Sequence, residues 1–328
     1  MKAVYFSLLL LSTLAHADVI SFPVAPTATD PAIKTFVTPH WIYVNRSILI
    51  DRQADLPPDR HQLLLWLTGT GGSGHDARAF CELAANLGYH VVSLMYPDEV
   101  PASACDNDPD PNGFERFRMA VIQGGAMTKR NGAAWFSVDP PESIENRLIK
   151  LLQVLQEKRP RENWGQFIRG DGTIKWDSIA VAGQSQGGGH AALIGIKHEV
   201  ARVVCFGAPK DYSTRLRAPA AWYGEPSATP KSRFFAFNHH QDPKGCTPEQ
   251  LILNLRSLES EAFGTPAEVD EEPFPYHYAR VLYTSYPVVT VEGQGSEGAM
   301  VAHGSGINSQ NAQRWQQVWT YLLTETTS

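Results

Sequence analysis

The stretch from Ile179 to Lys197 constrains this chain more than any other. Ile179-Ala180-Val181-Ala182 is a short continuous apolar run, of the kind that forms strands covered on both faces. It passes directly into Gly183-Gln184-Ser185-Gln186-Gly187, and helix-forming Ala191, Ala192, Leu193 and Ile194 follow. A Gly-x-Ser-x-Gly pattern alone recurs by chance. With a buried strand before it and a helix after it, the pattern specifies a tight strand-to-helix turn that projects the serine out of a sheet. Gly183 and Gly187 are expected where strand and helix pack too closely for a side chain.

The rest of the chain continues the same alternation. Trp41–Val44 and Ser47–Ile50 are expected as short strands, and Leu63–Leu67 as a buried one. A helix is expected from about Asp76 to Leu87, stopped by Gly88. Val91–Tyr96, Val203–Phe206 and Phe234–Phe237 supply further strands. Ser143 should cap a helix whose Ile144, Leu148, Leu151, Leu152 and Leu155 share one face. Residues 249–263 read as helical, Tyr286–Val291 as the last strand, and Ala312, Trp315, Val318, Trp319 and Leu322 as the stripe of a C-terminal helix. Residues 18–39, rich in Pro, Ala and Thr, are expected to wrap the surface as an extended arm. Residues 98–140 are expected as a loop-rich insertion with a short helix at Phe114–Ile122, long enough to serve as a lid. With no repeat or flexible linker, residues 18–328 are expected to form one α/β domain. Its sheet should be doubly wound, mostly parallel and flanked by helices.

Residues 1–17 stand apart. Lys2 precedes an apolar run from Val4 to Leu14, and Ala15-His16-Ala17 follows as a small-x-small cleavage site. This is the pattern of a secretory signal peptide, so the mature chain is expected to start at Asp18 and to be secreted or periplasmic. No stable membrane insertion is expected after cleavage. Export permits disulfides, and the chain has four cysteines, Cys81, Cys105, Cys205 and Cys246. Cys205 lies in an apolar strand and reads as a core residue, while Cys81–Cys105 is the expected bridge. A formal net charge of −6 argues against a nucleic-acid partner, and 43% apolar residues exclude a disordered chain.

A serine on such a turn needs a base, and the base needs an orienting acid. In this topology the order along the chain is serine, acid, histidine. Of eleven histidines, His303 lies after the last expected strand and before the C-terminal helix. His190 sits on the helix after the turn and cannot easily return to Ser185, and His277 lies in a loop. His239 and His240 follow a strand and suit supporting roles. Asp242, after the Phe234 strand, is the expected acid, and Asp211, after the preceding strand, is its rival. Thr68-Gly69-Thr70-Gly71-Gly72-Ser73-Gly74 follows an early strand. Backbone N–H groups of Thr70 and Gly71, with that of Gln186, are expected to form an oxyanion hole. No Gly-Lys-Ser/Thr follows, so this is not a nucleotide P-loop, and Gly69-x-Gly71-x-x-Gly74 is a weak dinucleotide match. Trp135, Phe136, Trp164, Phe167 and Trp222 are read either as pocket walls or as anchors of long loops. No spacing calls for a metal or cofactor.

The segment Val181-Ala182-Gly183-Gln184-Ser185-Gln186-Gly187-Gly188-Gly189-His190-Ala191 resembles that of secreted bacterial α/β-hydrolases of the serine-esterase kind. The likeness extends from the Leu63 strand to the C-terminal helix. It implies hydrolysis of small-molecule or polymer esters through an acyl-enzyme, without naming a substrate. A peptidase or an acyltransferase would use the same triad, and a binding protein could keep the fold alone. Thr68-Gly69-Thr70-Gly71-Gly72 departs from the His-Gly-Gly-Gly of many lipases and esterases.

Overall fold

The computed structural model describes residues 19–45, 60–128, 132–242, 244–286, 307 and 312–326. The expected signal peptide, the Ser47–Ile50 strand, residues 287–291 and His303 lie outside these residues.

Thirteen strands follow one another along the described chain. They are β1 (Val19–Val24), β2 (His40–Asn45), β3 (Leu63–Leu67), β4 (His90–Leu94), β5 (Gly125–Thr128), β6 (Ala134–Val138) and β7 (Ile179–Gln184). Then come β8 (Arg202–Phe206), β9 (Tyr212–Ser213), β10 (Ala218–Pro219), β11 (Phe234–His239), β12 (Ala267–Glu268) and β13 (Val281–Thr284). The helices are α1 (Pro26–Thr29), α2 (Arg78–Asn86), α3 (Gly113–Gln123), α4 (Ile144–Lys158), α5 (Gln186–Lys197), α6 (Pro248–Ser257) and α7 (Ala312–Thr324).

Nine strands form one sheet in the order β1-β2-β4-β3-β7-β8-β11-β13-β12. Pairing is antiparallel at β1–β2 and β2–β4 and parallel from β4 to the far edge. This is the α/β-hydrolase fold, a mostly parallel central sheet with helices on both faces. The apolar runs make it so. In β3 and β7 alternate residues feed opposite cores. Leu63, Leu65, Leu67, Ile179 and Val181 pack with α3, α4, α5 and α6. Leu64, Trp66, Ala180 and Ala182 pack with α2 and α7. All five residues of β3 are buried, as a strand covered on both sides requires.

The structure departs from the sequence reading at four places. Residues 18–39 are not only a surface arm, because Val19–Val24 adds β1 to the sheet edge, antiparallel to β2. Val281–Thr284 is a strand that the sequence reading did not mark, while the expected Tyr286–Val291 strand lies almost wholly outside the described residues. Residues 98–140 hold more regular structure than expected: after an irregular stretch to Asn112 come the eleven-residue α3 and the β5–β6 hairpin. The helix expected at Phe114–Ile122 is there, and Phe117, Val121 and Ile122 are buried core residues. Finally, Cys81 and Cys105 are not bridged; all four thiols are free and buried. Cys81 belongs to the core on one face of the sheet and Cys105 to the core on the other, so the sheet separates them. Among the described residues no helix is long and apolar enough to cross a membrane.

Because α3 is a core helix, truncating it should unfold the protein rather than merely open the site. Phe117→Ala is expected to cost about 3–5 kcal/mol, read from urea unfolding.

Candidate active site

Ser185 occupies the turn between β7 and α5 with φ 53° and ψ −114°. An L-residue holds such angles only where its surroundings over-determine them. Here the surroundings are backbone. Ser185 N–H donates to Phe206 O at 2.9 Å, and Ser185 O accepts from Gly189 N–H at 3.1 Å. A Cβ on Gly183 would stand 2.4 Å from the Gly187 carbonyl carbon, and one on Gly187 would stand 2.1 Å from Leu67 O. Both expected close approaches are therefore present. The next two glycines have their own reasons. A Cβ on Gly188 would meet that of Ala208 at 2.5 Å, and one on Gly189 would meet an Arg118 guanidinium nitrogen at 2.1 Å.

The position of Ser185 follows from the topology. From β3 the chain passes through α2, on one face, to β4; from β7 it passes through α5, on the other face, to β8. The loops leaving β3 and β7 part company at neighbouring strand ends, and such divergence opens a crevice at the carboxyl edge. The β3 loop runs past the serine, and a Cβ on Gly69 would lie 3.5 Å from Ser185 Cβ. Gly69–Gly72 forms a turn closed by Gly72 N–H to Gly69 O at 3.0 Å, with Gly71 at φ 67°. That is the third position of a type II turn, which favours glycine. Thr70 Oγ1 donates to Gln186 Oε1 at 2.7 Å, tying this loop to the first residue of α5.

Gly71 does not join Thr70 and Gln186 at the site. Its N–H donates to Asp98 O at 3.3 Å, and it does not line the cavity beside Ser185. Its part is conformational. Asp98, behind this turn, is nearly inaccessible. Burial pushes its carboxyl up to about 7, with the charges of Glu99 and Asp76 adding to the shift and the Gly72 N–H opposing it.

The two rival acids stand in different company. Asp211 takes three donors: Arg118 Nε and a terminal guanidinium nitrogen donate to its two oxygens at 2.6 and 2.5 Å, and Trp222 Nε1 donates at 3.0 Å. Arg118 also donates to Gln186 O at 2.9 Å. Burial opposes the Arg118 charge, but Asp211 outweighs it and raises the guanidinium above its ordinary pKa. Asp242 accepts from Lys210 Nζ at 2.6 Å and from Lys244 N–H at 3.0 Å. Sequence reasoning singled out neither Arg118 nor Lys210.

Among the histidines, His190 is fully buried, edge-on to Tyr96 with ring centroids 5.5 Å apart. Burial and then the Arg118 charge hold its imidazole well below its ordinary pKa, so it stays neutral. His239 braces its own loop, accepting from Gln241 N–H at 2.9 Å and meeting Tyr286 O at 3.0 Å. His240 and His277 pair with Glu268 and Glu272 on the surface.

The cavity beside Ser185 holds about 50 Å³. Thr70 and Gln186 flank it, Pro101, Ala102 and Ser103 close one side, and Arg118, Lys210, Asp211 and Gly245 complete it. The loop aromatics are anchors rather than walls. Trp164, Phe167 and Trp222 are completely buried, while Trp135 and Phe136 pack on Phe117.

Searches with the sequence match no protein-family model and no curated protein. Solved structures with a similar arrangement include esterase B from Lactobacillus rhamnosis, at 12% identity and TM-score 0.44, covering 93% of this chain and 87% of that one. A bacterial heroin esterase matches at 16% identity and TM-score 0.40, covering 95% and 86%. An S-formylglutathione hydrolase from Agrobacterium tumefaciens matches at 11% identity and TM-score 0.42, covering 92% and 94%. This chain's own strand order and serine turn define its fold.

Two outcomes follow for this site. Arg118→Met strands the Asp211 carboxylate in the interior and is expected to cost about 3–5 kcal/mol, with the Arg118→Met/Asp211→Leu pair costing less than the sum of the single changes. Asp98 titrates near 7 folded but near 3.9 unfolded, so its cost to stability grows as pH rises through that window and is absent below about 4. Asp98→Asn should therefore raise the melting temperature at pH 8 and leave it unchanged at pH 3.5.

Proposed function

We propose that this chain is an exported serine hydrolase that cleaves short-chain carboxylic esters through an acyl-enzyme. The observation that carries the reading is Ser185, held at φ 53° and ψ −114° at the divergence of the β3 and β7 loops, with Thr70 and Gln186 beside it. That geometry supports a nucleophile whose target carbonyl oxygen falls between two backbone N–H groups. The donors in this reading are Thr70 and Gln186, the latter at the positive end of the α5 dipole.

Asp242 is the acid. Its place after β11, the later strand, supports that choice, while Asp211 is held by Arg118 through both oxygens, with Trp222 donating as well. His303 is the base, placed by sequence order alone. Ser185 Oγ attacks the ester carbonyl carbon and gives its proton to His303, whose imidazolium Asp242 stabilises. The tetrahedral oxyanion collapses, the C–O bond breaks, and His303 protonates the leaving alcohol. Water then repeats the sequence on the acyl-enzyme, releasing the carboxylic acid and free serine. A cavity of about 50 Å³ beside Ser185 supports a short acyl group. The N-terminal pattern supports export, with cleavage after Ala17.

The test is labelling with a fluorophosphonate, read by intact mass and peptide mapping. One adduct on Ser185 is expected, absent in Ser185→Ala. Asp242→Asn and His303→Ala should each slow labelling by at least about 100-fold. Acetyl esters should exceed octanoyl esters in kcat/KM by about tenfold or more. Activity should fall as pH drops through the base's pKa, near 6.5 for an unperturbed histidine. Folded protein that takes no label would sink the proposal.

A further inference from the structure

The loop after β8 sends two neighbouring ionic side chains in opposite directions. Asp211 turns to Arg118 on α3. Lys210 turns to the loop after β11, where its Nζ donates to Asp242 Oδ2 at 2.6 Å and to Lys244 O. Lys244 N–H returns a bond to Asp242 Oδ1. Gly245, at φ 83°, closes over the lysine stem, and a Cβ there would lie 3.1 Å from Lys210 Cδ. The side chains of Lys210 and Asp242 are only 8% and 1% exposed. Lys210 also lines the cavity beside Ser185.

A buried ion pair is a poor way to gain stability, because the desolvation of both charges offsets most of their attraction. An apolar pair of similar volume would hold the two loops as well. It would not give the Asp242 carboxylate a cationic partner fixed at hydrogen-bond distance.

We propose that Lys210 is a positioning residue that holds Asp242 and extends the site's working range toward acid. The inference rests on the reading of Asp242 as the triad acid. A triad carboxylate stabilises the protonated base and so raises its pKa. An ammonium on that carboxylate offsets the effect, so the base stays unprotonated, and able to accept the serine proton, to lower pH. Loss of the ammonium should move the acid limb of the rate profile upward.

The surrounding groups set the background. Asp211 is neutralised by Arg118. Burial pushes the Cys246 thiol up to about 12, leaving it uncharged. Burial, with the charge of Asp211, pushes the Asp106 carboxyl up to about 6, so its titration overlaps the limb. His239 faces the same loop through its carbonyl, which accepts Asp242 N–H at 3.1 Å. Asp106→Asn is therefore run as a background for each Lys210 variant.

The experiment compares wild type, Lys210→Met, Lys210→Gln and Lys210→Arg in the full enzyme. Phosphonylation of Ser185 and kcat/KM for an acetyl ester are followed from pH 4.5 to 9. Lys210→Met and Lys210→Gln should shift the acid limb upward by about one pH unit and lower kcat/KM at pH 5.5 by about tenfold, mostly in kcat. Lys210→Arg keeps the charge and should restore the wild-type limb even where its plateau is lower. Glutamine retains a donor to Asp242, so it remains informative should the methionine variant fail to fold. A folded Gln variant with an unshifted limb overturns the inference while the hydrolase reading stands. Unlabelled Ser185 in the wild type overturns the hydrolase reading instead.

Discussion

The close seating of α5 on the carboxyl end of β3 governs the rest of the site. Gly187 brings its backbone so near Leu67 that a Cβ would stand 2.1 Å from the carbonyl oxygen, and Gly183 allows a matching approach from β7. With the helix this close, the one residue left between strand and helix must reverse the chain, and Ser185 takes angles that an L-residue otherwise avoids. Strain of this kind costs on the order of 1–3 kcal/mol and persists only on a stiff support. The support is a sheet centre whose β3 residues are all buried and whose two faces are covered by separate helical layers. The seating also brings the unpaired N–H groups of the first helical turn to the sheet edge, where the β3 loop passes.

The segment between β4 and α4 then acquires a meaning different from a flap. Arg118 reaches from α3 beneath the elbow into space that Gly189 leaves open, and it binds both Gln186 O and Asp211. A guanidinium there keeps the adjacent His190 neutral through repulsion as well as burial. The helix is therefore a foundation of the site, and Pro101–Ser103, earlier in the same segment, line the cavity with Arg118.

What was legible in the sequence follows from what is local. The elbow is readable because close packing demands glycines at fixed offsets from the serine and an apolar strand before them. The helical stripe from Ile144 to Leu155 and its Ser143 cap are readable for the same reason, and Ser143 Oγ accepts Asn146 N–H as expected. The misses are all tertiary. Val281–Thr284 is a four-residue strand with no more apolar signal than its neighbours, and only pairing with β11 defines it. Val19–Val24 becomes a strand because the β2 edge is available. The cysteines cannot be paired from spacing, since which face of a sheet each occupies is invisible in the chain. The partner of Asp211 is an arginine 93 residues away, a distance at which no local pattern speaks.

The charges around the cavity are matched before any substrate arrives. Arg118 and Lys210 both stand in its wall, and each carries a buried carboxylate partner. Paired ions present little net field to a neutral ester and offer no ready counter-charge to an anionic one. The positive potential that remains comes from backbone dipoles, at the first turn of α5 and the turn through Thr70. Those dipoles are fixed by the same packing that strains Ser185. In the proposed reaction they would act on charge that develops beside the serine during attack, which is where electrostatic preorganisation favours the transition state over the ground state. Under that proposal, a wall of neutralised ions leaves discrimination to shape and catalysis to the backbone.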